Sequence, residues 1–226
     1  MATTNSLRHI IYNIRTLIKD RHSDDLKFTD RNIAYWIKYL RVKLIRQDYE
    51  KGRDPSDNIT QSISVNVESV DTGSSISQTT GEFQIKSKTK LPKFISTYHR
   101  DLMLTVGSAI DESFNIIIQS KAKAIRNCKT KYGKKFPVAY LDNGYLYIIG
   151  CNFYIENVVV SGVFEDPEEV EKFNNPNYNE DDFYDKDYPL EGHMIDMINN
   201  IIKTNELNLY FQLPEDKVND AQTNSL

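Results

Sequence analysis

Asp142, Glu165, Asp166 and His193 are the residues from which this chain could build a catalyst. Carboxylates and an imidazole drawn together from distant positions can hold a divalent ion and activate a water, which would make the protein a metal-dependent hydrolase. The carboxylates Glu165, Asp166, Glu168, Glu169 and Glu171, followed by Glu180, Asp181, Asp182, Asp185 and Asp187, offer oxygen ligands for a hard cation. They lack the alternating ligands, central Gly and terminal Glu of an EF-hand loop, so a solvated acidic surface is the plainer reading. His9, His22, His99 and His193 have no second His or Cys three or four residues away, the spacing that sets two ligands on one helix face. Cys128 and Cys151 match neither a redox pair nor a zinc knuckle and read as reduced, partly buried thiols. Phosphate loops, dinucleotide fingerprints, HExxH and nucleophile elbows are absent from the sequence. The reading is therefore a non-enzyme with no catalytic residue, metal ligand or cofactor.

Two other groups suit association. Arg31, Lys38, Arg41, Lys43 and Arg46 lie in one amphipathic segment, with Lys51 and Arg53 just beyond it. Such a basic face can meet DNA phosphates or the acidic residues of a neighbouring subunit, or simply remain solvated. Tyr210 and Phe211 sit in an otherwise polar stretch, where large aromatic groups favour docking onto another chain. Arg31, Lys38, Arg41, Arg46, Tyr210 and Phe211 are thus the expected interface residues.

The elements that must carry these residues follow from periodicity. Leu7, Ile10, Ile11, Ile14, Leu17 and Ile18 form a helical stripe, predicting a helix over 6–22. Thr29 or Asp30 can cap a second helix over 29–51, whose apolar face is Ile33, Trp36, Ile37, Leu40 and Leu44; an antiparallel helix pair results. Ile63, Val65 and Val67 alternate with polar residues as a half-buried strand, opening a mainly antiparallel β region over 60–164. Asp71 to Thr80 reads as a mobile loop, and Ala122 to Lys131 as a short helix. Val138–Leu141 and Tyr145–Ile149 flank Asp142-Asn143-Gly144, a tight hairpin signature. Ile155, Val158, Val159, Val160, Val163 and Phe164 predict a following strand with an irregularity near Ser161-Gly162. Pro167 can start a short acidic helix within an acidic segment over 165–188, whose Asn174 to Tyr188 part reads as turn and loop. A last helix is expected over 189–207.

The resulting class is α+β: an N-terminal antiparallel helix pair, a central β region with an Asn-Gly hairpin, then a C-terminal helix and extended tail. One domain over 1–208 and a tail over 209–226 are expected of 226 residues with 39% hydrophobic content. No apolar run approaches the roughly 20 residues of a membrane span, and the first residues show no secretory pattern, so a cytoplasmic site of synthesis is expected. A net charge of −4 and a pI near 5.6 argue against a dedicated nucleic-acid binder.

The run Thr29-Asp30-Arg31-Asn32-Ile33-Ala34-Tyr35-Trp36-Ile37, continued by Arg41 and Leu44-Ile45-Arg46-Gln47-Asp48, resembles virion structural proteins of crAss-like phages and related podoviruses. Val163-Phe164-Glu165-Asp166-Pro167, the acidic segment, the helix from Pro189 to Leu207 and the polar tail match the same order of parts. The resemblance implies a multimeric ring, commonly of about twelve copies, in the head-to-tail connector of the virion. It would be made in the bacterial host cytoplasm. Its expected partners are the portal protein and adjacent tail rings, with non-specific contact to channel DNA and none to a membrane. The competing readings are a small adaptor or regulator binding DNA or host protein, and the metal-dependent hydrolase.

Overall fold

The computed structural model describes residues 6–19, 29–70, 84–98, 100–108, 116–128, 130, 136–150 and 155–206. The expected loop Asp71 to Thr80, the tail with Tyr210 and Phe211, and Cys151, His22 and His99 lie outside them.

Two helices come first, α1 over Leu7–Lys19 and α2 over Asp30–Glu50. Thr29 caps α2 by accepting from the Asn32 amide, as its short hydroxyl side chain predicts. The last turns of α1 meet the first turn of α2 through Arg15 and Asp30, 2.9 Å apart. Leu7, Ile10, Ile11 and Ile14 of α1 join Ile33, Ile37, Leu40 and Ile45 of α2 in one helical core. Trp36 is only half-buried at its rim.

The strands are β1 (Gln61–Ser69), β2 (Gln84–Ser87), β3 (Met103–Ser108), β4 (Ile117–Ile118), β5 (Val138–Asp142), β6 (Tyr145–Ile149) and β7 (Asn157–Gly162). They form a seven-stranded sheet of order β3-β7-β1-β2-β6-β5-β4, antiparallel except for the parallel pair β4 and β5. β1 is the joint: residues 61–66 pair with β7, residues 67–69 with β2. The two outermost strands approach each other, and the Ile116 amide donates to the Val106 carbonyl at 2.7 Å. The sheet thereby curls towards a barrel, which covers edges that would otherwise recruit other chains. Its interior holds Ile63, Val65, Val67, Ile85, Val106, Leu146, Ile148, Val158 and Val160, the inward half of each alternating strand.

The hairpin between β5 and β6 turns on Asn143 (φ 53°) and Gly144 (φ 81°), two successive left-handed residues that match the twist of the flanking strands. The irregularity expected in this strand near Ser161-Gly162 lies instead on the strand it faces: pairing of β3 with β7 slips by one residue between Met103 and Thr105. Gly162 is required there, since a Cβ would come within 2.6 Å of the Leu102 carbonyl oxygen and 2.8 Å of the Phe94 ring.

Further helices are α3 (Lys121–Cys128), α4 (Pro167–Asn174), α5 (Glu180–Asp185) and α6 (Gly192–Ile201), the last continued by a π-helical turn over Ile202–Glu206. α5 corrects the reading of Asn174 to Tyr188 as turn and loop. Asn179 caps it at the Asp181 amide, Glu180, Asp181 and Asp182 complement its N-terminal dipole, and Phe183 anchors it in the helical core. The last helix starts at Gly192 and not at Pro189. Among the described residues the fold is α+β, with six α-helices and the seven strands.

Candidate interaction site

The acidic segment is tied down by the basic residues of α2. Asp166 caps α4 by accepting from the Glu168 amide, and its other carboxylate oxygen takes a hydrogen bond from the Lys38 ammonium at 3.1 Å. Lys38 also donates to Glu168 at 2.6 Å, while Lys172 and the Tyr178 hydroxyl donate to the other Glu168 oxygen at 2.7 and 3.1 Å. Burial pushes the Glu168 carboxyl up, but its hydrogen bonds from Lys172 and Lys38 outweigh this and hold it at about 2. Burial likewise pushes Lys38 down, and Glu168 and Asp166 reverse that, keeping its ammonium above the usual range. Tyr178 is raised by burial and by the nearby Glu168 charge. Lys186 pairs with Glu171, and Arg8 of α1 lies 2.9 Å from Asp185.

One turn along α2 from Lys38, Arg41 is fully buried. Its guanidinium donates to the Phe164 carbonyl at 2.7 Å and the Pro189 carbonyl at 2.8 Å, joining the two ends of the acidic segment to α2. Burial lowers its pKa, and the Tyr188 hydroxyl is pushed up to about 12 mainly by burial. Nη2 of Arg41 and the hydroxyl of Tyr188 are buried without hydrogen-bond partners among the described residues. Arg41 therefore does not belong to the solvated basic face on which the helical pattern places it. A guanidinium that satisfies two buried carbonyls looks, in a helical plot, like any other surface cation.

The residues proposed for hydrolysis do not share a site. Asp142 pairs with Lys121 at 2.6 Å, Glu165 with Lys93 at 2.9 Å and Asp166 with Lys38. His193 lies 3.0 Å from Glu191 and 3.6 Å from Asp48, beside a cavity of about 120 Å³. Among the described residues no three His, Cys, Asp or Glu side chains gather to hold a metal ion.

What remains outward on α2 is a row at four-residue spacing, Arg31, Tyr35, Tyr39 and Lys43, all exposed. Tyr35 is 67% and Tyr39 55% exposed, high for aromatic side chains in the middle of a helix. Arg46 is partly buried, its Nε enclosed without a hydrogen-bond partner among the described residues. The two tyrosines were missed as interface candidates although their spacing from Arg31 was readable. A second aromatic and basic set lies on β2 and β6, where the Lys86 ammonium sits 4.0 Å from the centre of the Tyr145 ring and 5.9 Å from that of Tyr147.

Helices laid on a nearly closed β body, with charged side chains tying those helices down and aromatic side chains left outward, define an α+β protein. The family model for phage tail ring protein 2 matches residues 9–225, and the chain belongs to that family of crAss-like phage ring proteins, structural parts of the virion. No curated protein matches the chain. Among the described residues no helix is long and apolar enough to cross a membrane.

Proposed function

We propose that the chain is a non-catalytic subunit of a closed ring of about twelve copies in the head-to-tail connector, next to the portal, and that the ring forms part of the conduit through which the genome leaves. The observation that carries this is the family match over residues 9–225, nearly the whole chain. The exposed row Arg31, Tyr35, Tyr39 and Lys43 supports it, since arginine and tyrosine contribute most binding energy at protein interfaces. In this reading residues 1–208 are one body and 209–226 an arm that reaches the next ring, with Tyr210 and Phe211 as its anchors. Arg46 lies near the portal-facing or tail-facing contact, and Lys38 and Arg41 shape that face from behind by holding the acidic segment.

Light scattering of the purified chain, alone and mixed with the portal protein of the same phage at low and moderate salt, tests the proposal. A closed oligomer near twelve copies, or capture by the portal, is the expected result. A strict monomer that ignores the portal refutes it.

A further inference from the structure

The charges of this chain are segregated. Residues 84–90 and 121–128, which form β2 with the turn after it and α3, carry six lysine and arginine residues and no carboxylate. Residues 167–187, which hold α4 and α5, carry eight carboxylates against two lysines. α3 packs on β5, and α4 packs on β1, where Asn174 donates to the Ser62 carbonyl at 2.9 Å. In the closed strand order β1 and β5 are three strands apart, the largest separation seven strands allow. α3 and α4 thus lie on opposite sides of the nearly closed sheet, and β2 and β6, which carry the rest of the basic surface, stand between β1 and β5.

Each surface has residues with no ion pair to any described group. Lys88, Lys123 and Arg126 are exposed and unpaired on the basic side, and Glu169, Glu180 and Asp182 on the acidic side. Lys86 and Lys90 gather over Tyr145, so the basic side also presents a ring whose area an interface can bury.

A closed ring of identical subunits needs two different surfaces on one chain, each the complement of the other. We infer that the basic, tyrosine-bearing face of β2, β6 and α3 docks on the acidic face of α4 and α5 of a second copy of this chain, and that this contact propagates the ring. The inference rests on the ring reading. It names the occupant of the basic face as protein and not DNA, because the complementary surface is carried by the chain itself and the whole chain is acidic at −4.

The test uses full-length wild type and two charge-reversed variants, K88E/K90E/K123E and E169K/E180K/D182K, each first shown to melt as a folded protein by circular dichroism. Wild type is expected to self-associate, more strongly at low salt because such charges act within roughly 8 Å at physiological ionic strength. Each variant is expected to lose at least about a hundredfold in self-association affinity, since like charges then meet. A one-to-one mixture of the two variants is expected to regain the wild-type mass, with equal content of each, because every contact again joins opposite charges. Variants that associate as wild type does, or a mixture that stays dissociated, overturn this interface while leaving the ring reading intact. A basic-face variant that still forms rings but loses salt-sensitive binding to duplex DNA assigns that face to DNA and overturns it too. A wild type that stays monomeric, with and without portal, overturns the ring reading itself.

Discussion

Glu168→Gln isolates the charge at the centre of the α2–α4 tie. Its carboxylate accepts from Lys38, Lys172 and Tyr178, and its side chain is 16% exposed. A carboxyl held at about 2, against 4.5 ordinarily, is favoured in its charged form by an upper bound of about 3 kcal/mol. Lys172 is 52% exposed and well screened, so its share is small, and the glutamine amide keeps one acceptor oxygen. The expected loss at pH 7 is therefore about 2 kcal/mol. The sign of its pH dependence follows from the depressed value. Above the ordinary 4.5 the native carboxylate contributes its full stabilisation; as pH falls towards 2 the unfolded chain binds the proton first, and that contribution is lost. Urea unfolding of wild type, Glu168→Gln and the exposed control Glu169→Gln at pH 7 and again near 2.5 reads this directly. Wild type and Glu168→Gln should differ at pH 7 and converge in acid, and Glu169→Gln should track wild type throughout. A gap that persists unchanged in acid, or none at pH 7, refutes the electrostatic account.

Arg41→Met keeps the volume but strips the donors from the Phe164 and Pro189 carbonyls; offset by removal of a buried charge, it should cost about 2 kcal/mol in urea unfolding, and an equally stable variant refutes the tie. Tyr188→Phe removes a buried hydroxyl that has no partner, so its unfolding free energy should change by less than about 0.5 kcal/mol or rise slightly; a loss above about 1.5 would mean the hydroxyl is bonded. Gly162→Ala drives a methyl into the Leu102 carbonyl and the Phe94 ring and should cost about 2–4 kcal/mol by thermal or urea unfolding, against little change for Gly192→Ala, which meets nothing.

Elements set by local chemistry were legible before the fold was known. The Thr29 cap, the Asn143-Gly144 turn, the alternation of Ile63, Val65 and Val67 and the Pro167 helix start each depend on residues a few positions apart. Contacts between distant segments were not. Arg41 and Lys38 look alike in the α2 pattern, yet one is buried under Phe164 and Pro189 and the other bridges Asp166 and Glu168, more than 120 positions away. The segment from Asn174 to Tyr188 reads as loop because Asn, Asp and Glu favour turns, but the same residues cap a helix once Phe183 has a core to enter. The family resemblance, by contrast, was read from the run from Thr29 to Asp48 and the order of parts, which needs no knowledge of contacts, and the family match over residues 9–225 agrees with it.

The two roles of the acidic segment fit one another. Within α4, Glu168 and Glu171 are held by Lys38, Lys172 and Lys186, while Glu169 is exposed with no ion pair among the described residues. Asp166 both caps α4 and receives Lys38, so the helix start is fixed to α2, and Arg41 fixes the chain on either side of α4 and α5. A closed ring fails if each subunit turns the next by a variable angle, because small errors accumulate around the circle. Rigid placement of the outward carboxylates is therefore what such an interface requires of the body beneath it. In the proposed ring the internal charges supply that placement at some cost in desolvation, and the buried Arg41 guanidinium is part of it.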